Sequence, residues 1–192
     1  MSPRSSKQFK ELRDASRQKI LDASLELFGT KGYESTTISD IVKSAGISKG
    51  LIYHYFESKE DILRKLVDEL MTRGDESMDS LFEGDAKVSL RKVFELFFKE
   101  MRENYKTWNL VLNLSVQVNH FQFIHDLAMQ KMQAYVMIME GMFKELGYEN
   151  PNLEARLLGA LFDGIGMQYY VLNDPVYLDE MERILYDKYD LI

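Results

Sequence analysis

One segment of the chain, residues 36–63, constrains the fold more strongly than any other; it reads TTISDIVKSAGISKGLIYHYFESKEDIL. Its apolar residues recur at intervals of three and four, which is the spacing of one face of an α-helix. Thr37, followed three residues later by an acid, is typical of a helix start, and Gly46 interrupts the pattern. We therefore predict two short helices, residues 38–44 and 49–55, separated by a turn that contains glycine.

The remainder of the chain is also predicted to be helical. Only 3 prolines occur in 192 residues, runs of β-branched residues are scarce, and apolar residues recur at helical spacing over long segments. We therefore predict an all-α protein of about nine helices. The other seven helices are expected over residues 16–29, 59–73, 87–105, 107–118, 121–146, 153–172 and 176–189.

These predicted helices form two groups that differ in length. The first group is short and contains the helix-turn-helix pattern, so we assign residues 1–60 to a three-helix DNA-binding domain. The second group is longer and more apolar, and we assign residues 61–192 to a second helical domain. No flexible linker separates the groups, so the join is expected within or just after the fourth helix.

Composition and charge narrow the classes of function. The absence of cysteine excludes disulfides, thiolate metal sites and a cysteine nucleophile. No segment approaches the ~20 apolar residues of a membrane helix, and the N-terminus lacks the apolar core of a signal peptide, so we expect a soluble cytoplasmic protein with no membrane contact. The net charge is -7, yet residues 1–57 carry nine Lys or Arg against seven Asp or Glu. The front of the chain could therefore approach a polyanion that the remainder would repel.

No motif requires an enzyme, a cofactor or a metal. The sequence contains neither a nucleophile-elbow pattern nor a glycine-rich phosphate loop. His120 and His125 are five positions apart, not the three or four that bring two ligands to one helix face. We therefore predict a protein that is not an enzyme and binds no cofactor or metal.

The segment 36–63 instead indicates contact with DNA. In a helix-turn-helix the first helix braces the second, which enters the major groove because that groove admits an α-helix. Apolar residues of both helices are used in packing, which leaves the polar side chains of the second helix facing outward. A Tyr or His at a helix end is as often ordinary packing, but the short helices, the caps and the glycine turn together favour DNA contact. The candidate contacts are Ser48, Lys49, Gly50, Tyr53, His54 and Tyr55.

A longer stretch, roughly residues 17–63, resembles the TetR family of bacterial transcriptional regulators. It contains ILDASLELFGTKGYESTTISDIVKSAGISKGLIYHYFESKEDIL, about a quarter of the chain. The resemblance implies a homodimer that binds a palindromic double-stranded DNA operator, usually represses, and is released by a small molecule in the C-terminal domain. It also implies DNA contacts at Thr37 and Lys59 besides those on the second helix. We add Arg17, a basic residue beside the motif.

The C-terminal two thirds is predicted to hold both an effector and the dimer interface. Segments 121–146 and 153–172 are apolar on more than one face, which requires two burial partners. The candidate interface residues are Leu157, Leu161, Ile165 and Tyr169. Any one Met or aromatic residue is more often plain core, but as a set these abundant residues suit an adaptable apolar pocket. The candidate ligand contacts are Met101, Tyr105, Trp108, Met132, Tyr135, Met139, Phe162 and Met167.

We therefore predict a DNA-binding regulator, a repressor that an unidentified, mostly hydrophobic small molecule releases from its operator. Two alternatives stay open. One is a ligand-independent regulator or activator whose C-terminal domain only dimerises, which a closed core without a cavity would favour. The other is an enzyme or small-molecule carrier whose helix-turn-helix has no function, which turnover or ligand binding without specific DNA binding would favour.

Overall fold

A computed structural model describes residues 6–79, 81, 84–116 and 121–191 of the chain; the side chains of residues 6–11, 73–79, 105, 115 and 116 lie outside this description. Within those limits the regular structure is entirely helical, which confirms the predicted all-α fold class. None of the described helices is both long and apolar enough to cross a membrane. The helices are α1 (Ser6–Thr30), α2 (Ile38–Ala45), α3 (Lys49–Tyr55), α4 (Lys59–Asp79), α5 (Ala86–Glu103), α6 (Tyr105–Val116), α7 (Gln122–Glu145), α8 (Pro151–Leu172) and α9 (Pro175–Lys188).

Contacts between residues divide the chain into an N-terminal unit, Met1–Gly74, and a C-terminal unit, Asp75–Ile192. The division falls inside α4. Helix α1 begins ten residues earlier than the apolar pattern predicts. Leu12, in the described part of the extra turns, is 48% exposed, and residues of good helix propensity such as Lys, Glu, Leu and Arg favour these turns.

The ends of α2 and α3 are set by local side-chain chemistry. Thr37 and Asp40 form a reciprocal capping box, in which each side chain accepts a hydrogen bond from the backbone N–H of the other residue. Gly46 ends α2 with a φ of 65°, a left-handed conformation that glycine adopts without a Cβ clash. The hydroxyl of Ser48 accepts a hydrogen bond from the N–H of Leu51 and begins α3. Both helices therefore lie within one residue of their predicted bounds.

The core of the N-terminal unit fixes the orientation of α3. Apolar side chains from α1 to α4 pack together, and each stabilises the unit by about 1.5–3 kcal/mol when fully buried. Ile52 and Phe56 enter this core with 1% and 3% of their surface exposed. The remaining members with no more than 5% exposure are Ile20, Leu21, Phe28, Ile41, Ile62, Leu63, Leu66 and Val67. Because α3 is anchored on this one side, its other side is presented to solvent.

The core of the C-terminal unit is rich in aromatic rings. Phe94 is fully buried and makes edge contacts with the rings of Phe162, Tyr186 and Tyr189, at centroid distances of 5.3, 5.8 and 5.5 Å. Such edge-to-face pairs add to the free energy of burial because ring edges carry positive and ring faces negative partial charge. Helices α5, α7, α8 and α9 all contribute to this core.

Candidate functional site

The solvent-facing side of α3 carries polar and cationic side chains. Ser48, Lys49, Gly50 and His54 are exposed, and Tyr53 leaves 54% of its surface in contact with solvent. Tyr55 is half-buried, and its ring meets the edge of the His54 ring at 5.2 Å. Most residues predicted to contact DNA on this helix therefore lie on one accessible surface.

A second polar group lies at the start of α2. Besides the capping box, the hydroxyl of Thr37 donates to Asp40 Oδ2 at 2.8 Å, and the Lys31 ammonium donates to the same oxygen at 2.8 Å. The hydrogen bond from Lys31, followed by that from the Thr37 backbone, holds the pKa of Asp40 well below its usual range. This carboxylate therefore stays ionised, but Lys31 offsets its charge beside the exposed Thr37.

Lys59 turns its ammonium toward the protein. Its Nζ donates to the backbone oxygens of Tyr33 and Thr36 at 2.8 and 3.0 Å, and lies 4.1 Å from the centroid of the Tyr33 ring. Burial, followed by the charges of Glu60 and Glu34, raises the pKa of Tyr33. Lys59 therefore ties the start of α4 to the turn between α1 and α2.

Arg17 also makes contacts within its own unit. Its Nη1 donates to Glu69 Oε1 at 2.7 Å, and its guanidinium lies 5.8 Å from the centroid of the Phe56 ring. The side chain keeps 36% of its surface exposed. Arg17 therefore links α1 to α4 and packs beside the residue that ends α3.

The C-terminal unit contains a cavity of about 510 Å³, partly open to solvent, between α5, α6, α7 and α8. This volume lies within the ~300–1,000 Å³ typical of small-molecule sites. Four residues predicted as ligand contacts line it: Trp108, Met132, Tyr135 and Phe162. Seven further lining residues are absent from the sequence prediction: Phe97, Lys131, Val136, Arg156, Gly159, Ala160 and Asp163.

Three of the other four predicted ligand contacts lie elsewhere. Met101 and Met139 belong to the core, with 1% and 0% of their surface exposed. Met167 is 42% exposed and does not line the cavity. The side chain of Tyr105 lies outside the described part of the structure. A count of methionines and aromatic residues therefore does not distinguish the wall of a cavity from the core behind it.

Two aromatic rings lie directly against the backbone of α8, where glycines make room for them. A Cβ atom added to Gly166 would lie 2.4 Å from Cζ2 and 2.8 Å from Nε1 of Trp108. A Cβ atom on Gly159 would lie 3.2 Å from Cε1 of Tyr135. These two glycines, seven positions apart on the helix, bring the rings to either side of Asp163.

The cavity wall contains buried polar atoms without partners. Trp108 Nε1 and Tyr135 Oη are buried and make no hydrogen bond within the described part of the chain. Burial also raises the pKa of the Asp163 carboxyl, although part of that residue remains exposed. Burial, followed by the charge of Asp163, raises the pKa of Tyr135. Buried polar groups without a hydrogen-bond partner are uncommon in folded proteins. They lower the free energy of unfolding unless a ligand or water supplies the partner.

One sequence signal could have identified Asp163. It is the one charged residue between Leu157 and Leu172, a stretch that is otherwise apolar or neutral. A lone acid in an apolar helix is costly unless it has a partner. Elsewhere, no group of three or more His, Cys, Asp or Glu that could hold a metal ion occurs among the described residues, and His120 lies outside them.

The predicted interface residues on α8 divide between two faces. Leu157 is 43% exposed, whereas Leu161, Ile165 and Tyr169 pack against the core of the same chain. Leu153 and Val171 share the outward side of α8 with Leu157, and are 66% and 72% exposed. Helix α8 therefore presents an apolar face to solvent in addition to the face that it buries.

Comparison with known proteins agrees with this arrangement of a helix-turn-helix and a separate helical unit. Residues 20–66 match the family model for bacterial regulatory proteins of the tetR family. The HTH-type transcriptional regulator BetI of Pseudomonas aeruginosa is 27% identical over 187 residues, 91% of each chain. The fatty acid metabolism regulator protein of Bacillus subtilis is 28% identical over 166 residues, 82% of this chain and 84% of that protein.

Solved structures agree on the fold. A protein from Saccharomonospora viridis, crystallised in complex with choline, superposes with a TM-score of 0.78 at 24% sequence identity. The superposition covers 91% of this chain and 95% of that one, so the likeness includes both units.

Proposed function

Because the chain belongs to the TetR family of DNA-binding transcriptional regulators, which are not enzymes, we propose that it represses transcription as a homodimer on a palindromic operator. A small, mostly hydrophobic effector bound in the C-terminal cavity releases it. Such a regulator acts beside the chromosome, in the cytoplasm. The observation that supports this proposal best is the exposed polar face of α3, held outward by the burial of Ile52 and Phe56.

The residues of this face have distinct roles in the proposal. Lys49 supplies positive charge to a phosphate or a base edge, and Gly50 lets the backbone of α3 approach the groove closely. Tyr53 and His54 donate hydrogen bonds from rigid rings that lose little rotamer entropy. Ser48 and Thr37 add hydroxyls and backbone N–H groups near helix starts, where phosphates bind well.

Arg17, Tyr55 and Lys59 act in a different way in this proposal. The ammonium of Lys59 already has two carbonyl partners, and the guanidinium of Arg17 already has a carboxylate partner. We assign to both residues the role of holding the helices that carry the DNA contacts. The half-buried Tyr55 supports the ring of His54.

A homodimer follows from the size of the recognition element. A seven-residue helix reaches few base pairs, and two copies one helical turn apart supply the affinity and specificity that one copy lacks. The outward apolar face of α8, with Leu153, Leu157 and Val171, is the surface that we propose for dimer contact. The predicted interface residues Ile165 and Tyr169 would support this face from behind.

The cavity supports a ligand-responsive regulator over a ligand-independent one. A domain that only dimerises needs no such cavity, and the one between α5, α6, α7 and α8 has a volume of about 510 Å³. The S. viridis protein of the same fold was crystallised with choline, so a regulator of this shape can hold a small organic molecule. The protein has one conformation that fits DNA and another that does not. Release requires the effector to bind the second conformation more tightly than the first.

Selection from random duplexes tests the DNA-binding proposal. We expect enrichment of inverted repeats whose half-site centres are about 10 base pairs, or a multiple of that, apart. Binding to the selected duplex should weaken steeply with salt, because several phosphates are neutralised. Enrichment of single half-sites would refute the dimer model, and failure to enrich any sequence would refute specific DNA recognition.

A further inference from the structure

We propose that the cavity in the C-terminal unit binds a small organic cation, an alkylammonium ion that also carries a hydrogen-bond acceptor. This inference rests on the proposed function, because it identifies the chemical class of the effector. It depends on three features of the cavity wall: a carboxylate, a set of aromatic rings and two unused hydrogen-bonding groups.

The carboxylate is that of Asp163. This residue lines the cavity, and the described residues offer it neither a hydrogen bond nor an ion pair. Its charge contributes to the raised pKa of Tyr135, which also lines the cavity. Burial raises the pKa of this carboxyl although the residue stays partly exposed, and even a partial loss of hydration disfavours a carboxylate that has no countercharge. A ligand ammonium group beside Asp163 would supply that countercharge.

Aromatic rings make the rest of the wall suitable for a cation. Phe97, Trp108, Tyr135 and Phe162 all line the cavity. Phe97 and Phe162 are stacked at a centroid distance of 4.1 Å, and Trp108 meets Phe97 edge-on at 6.1 Å. The faces of such rings attract an alkylammonium ion within about 6 Å, and Trp attracts it most strongly. The rings also replace water around the alkyl groups of the ligand.

The unused hydrogen-bonding groups add a second requirement. Trp108 Nε1 is buried without a partner, and an indole N–H can only donate. Tyr135 Oη is likewise buried without a partner and can donate as well as accept. A ligand that satisfies both carries an oxygen that accepts hydrogen bonds, such as a hydroxyl or an ester carbonyl, in addition to its ammonium group.

Two cations at the cavity, Lys131 and Arg156, would instead attract an anionic ligand. Arg156 is exposed, and its Nε already donates to Asn152 Oδ1 at 3.0 Å. Lys131 has an interaction of its own. Both cations therefore already have an interaction, whereas Asp163 has neither a hydrogen bond nor an ion pair among the described residues and lies between the rings of Trp108 and Tyr135 on α8. This position of Asp163 favours a cation, and tighter binding of a carboxylate ligand is the outcome that would contradict it.

The single tryptophan of the chain makes the test direct, because Trp108 lies in the cavity wall and its fluorescence reports binding. The full-length protein is titrated with choline and benzoylcholine. It is titrated in parallel with their neutral carbon isosteres, 3,3-dimethyl-1-butanol and its benzoate ester, and with hexanoate. We expect at least one cation to bind about tenfold more tightly than its isostere. Equal affinity within both pairs, tighter binding of hexanoate, or no response to any probe would overturn the proposal.

A charge-removing variant locates the effect. Asp163→Asn keeps the shape of the side chain and should reduce cation affinity about tenfold while leaving the neutral isostere nearly unchanged. Asp187→Asn, an exposed acid on α9 that does not line the cavity, is the matched control. If Asp163→Asn weakens the binding of the cation and of its neutral isostere equally, Asp163 does not recognise charge. If that variant fails to fold, the wild-type comparison of cation and isostere decides alone.

Failure of this inference and failure of the proposed function give different results. The protein could bind a selected duplex normally and yet bind no probe, or bind cation and neutral isostere equally. That result overturns the inference only. The protein could instead bind the cation tightly and recognise no duplex. That result overturns the proposed function and supports the ligand class.

Discussion

The polar groups that hold the helix-turn-helix together differ from those in the cavity wall in whether they have partners. In the N-terminal unit, three charged side chains beside the helix-turn-helix have partners: Lys31 pairs with Asp40, Arg17 with Glu69, and Lys59 with two carbonyls. In the C-terminal unit, Trp108 Nε1 and Tyr135 Oη are buried without partners among the described residues. The charged groups that link the helices of the N-terminal unit are therefore satisfied within that unit, whereas the cavity wall keeps two polar groups available to a ligand.

The largest expected effect tests whether each unit depends on its own core. Phe94→Ala removes a fully buried ring and should destabilise the C-terminal unit by about 3–5 kcal/mol. Hydrogen exchange should then show faster exchange in α5, α7 and α8, with α1 to α3 unchanged. Val88→Ala, on the same helix but 44% exposed, is the control and should change stability little. Equal loss of protection in both units would contradict separate cores.

The second prediction concerns the wall of the cavity. Gly166→Ala places a Cβ atom 2.4 Å from the Trp108 ring, which must move, at a cost of about 1–3 kcal/mol. The fluorescence spectrum of Trp108 should change at the same time. Gly141→Ala, where the added Cβ meets no atom within 4 Å, should be neutral or stabilising by up to ~1 kcal/mol. Indistinguishable spectra and unfolding midpoints for the two variants would show that Trp108 does not pack on α8.

The third prediction concerns the capping box in the N-terminal unit. Thr37→Ala leaves the N–H of Asp40 without its acceptor and should lower the free energy of unfolding by about 1 kcal/mol in urea titrations. Thr72→Ala is the control, because this exposed threonine lies within α4, where its hydroxyl only bonds back to the carbonyl of Asp68. Equal effects of the two substitutions would contradict a stabilising role for the Thr37 cap.

The smallest expected effect is the pH dependence of the same cap. The pKa of Asp40 is lower in the folded protein than its ordinary value of 3.8 because Lys31 and Thr37 stabilise the ionised form. Its stabilising contribution is therefore fully present above that ordinary value and is lost as the pH falls through the lowered value. Urea midpoints of the wild type and of Asp40→Asn should differ at neutral pH. The difference should begin to decrease only below about pH 3.8. A constant difference down to strongly acidic pH would contradict this linkage.

The same contrast explains how much could be predicted from the sequence. The caps at Thr37 and Ser48 and the turn at Gly46 act within a few residues, so local patterns predict α2 and α3 to within one residue. The cavity is built from four helices, and apolar spacing gives no indication of which face meets which. Met101 and Met139 therefore could not be told from Met132, which lines the cavity.

Helix α8 shows a related limit. Its sequence reveals two apolar stripes, but not which of them the chain buries against its own core. Leu157 lies on the exposed stripe, whereas Ile165 and Tyr169 lie on the buried one. That distinction depends on the position of α8 relative to α5, α7 and α9, which no local pattern encodes.

The most direct test of the central claim, that the exposed face of α3 binds DNA, compares single alanine variants on one selected duplex. Fluorescence anisotropy should show that Lys49→Ala and Tyr53→Ala each weaken binding by about 10- to 100-fold, and Lys49→Ala should also reduce the salt dependence by about one phosphate contact. Lys144→Ala, an exposed lysine of the C-terminal unit, should bind as the wild type does. Unchanged affinity in both α3 variants, with the fold intact, would contradict the account.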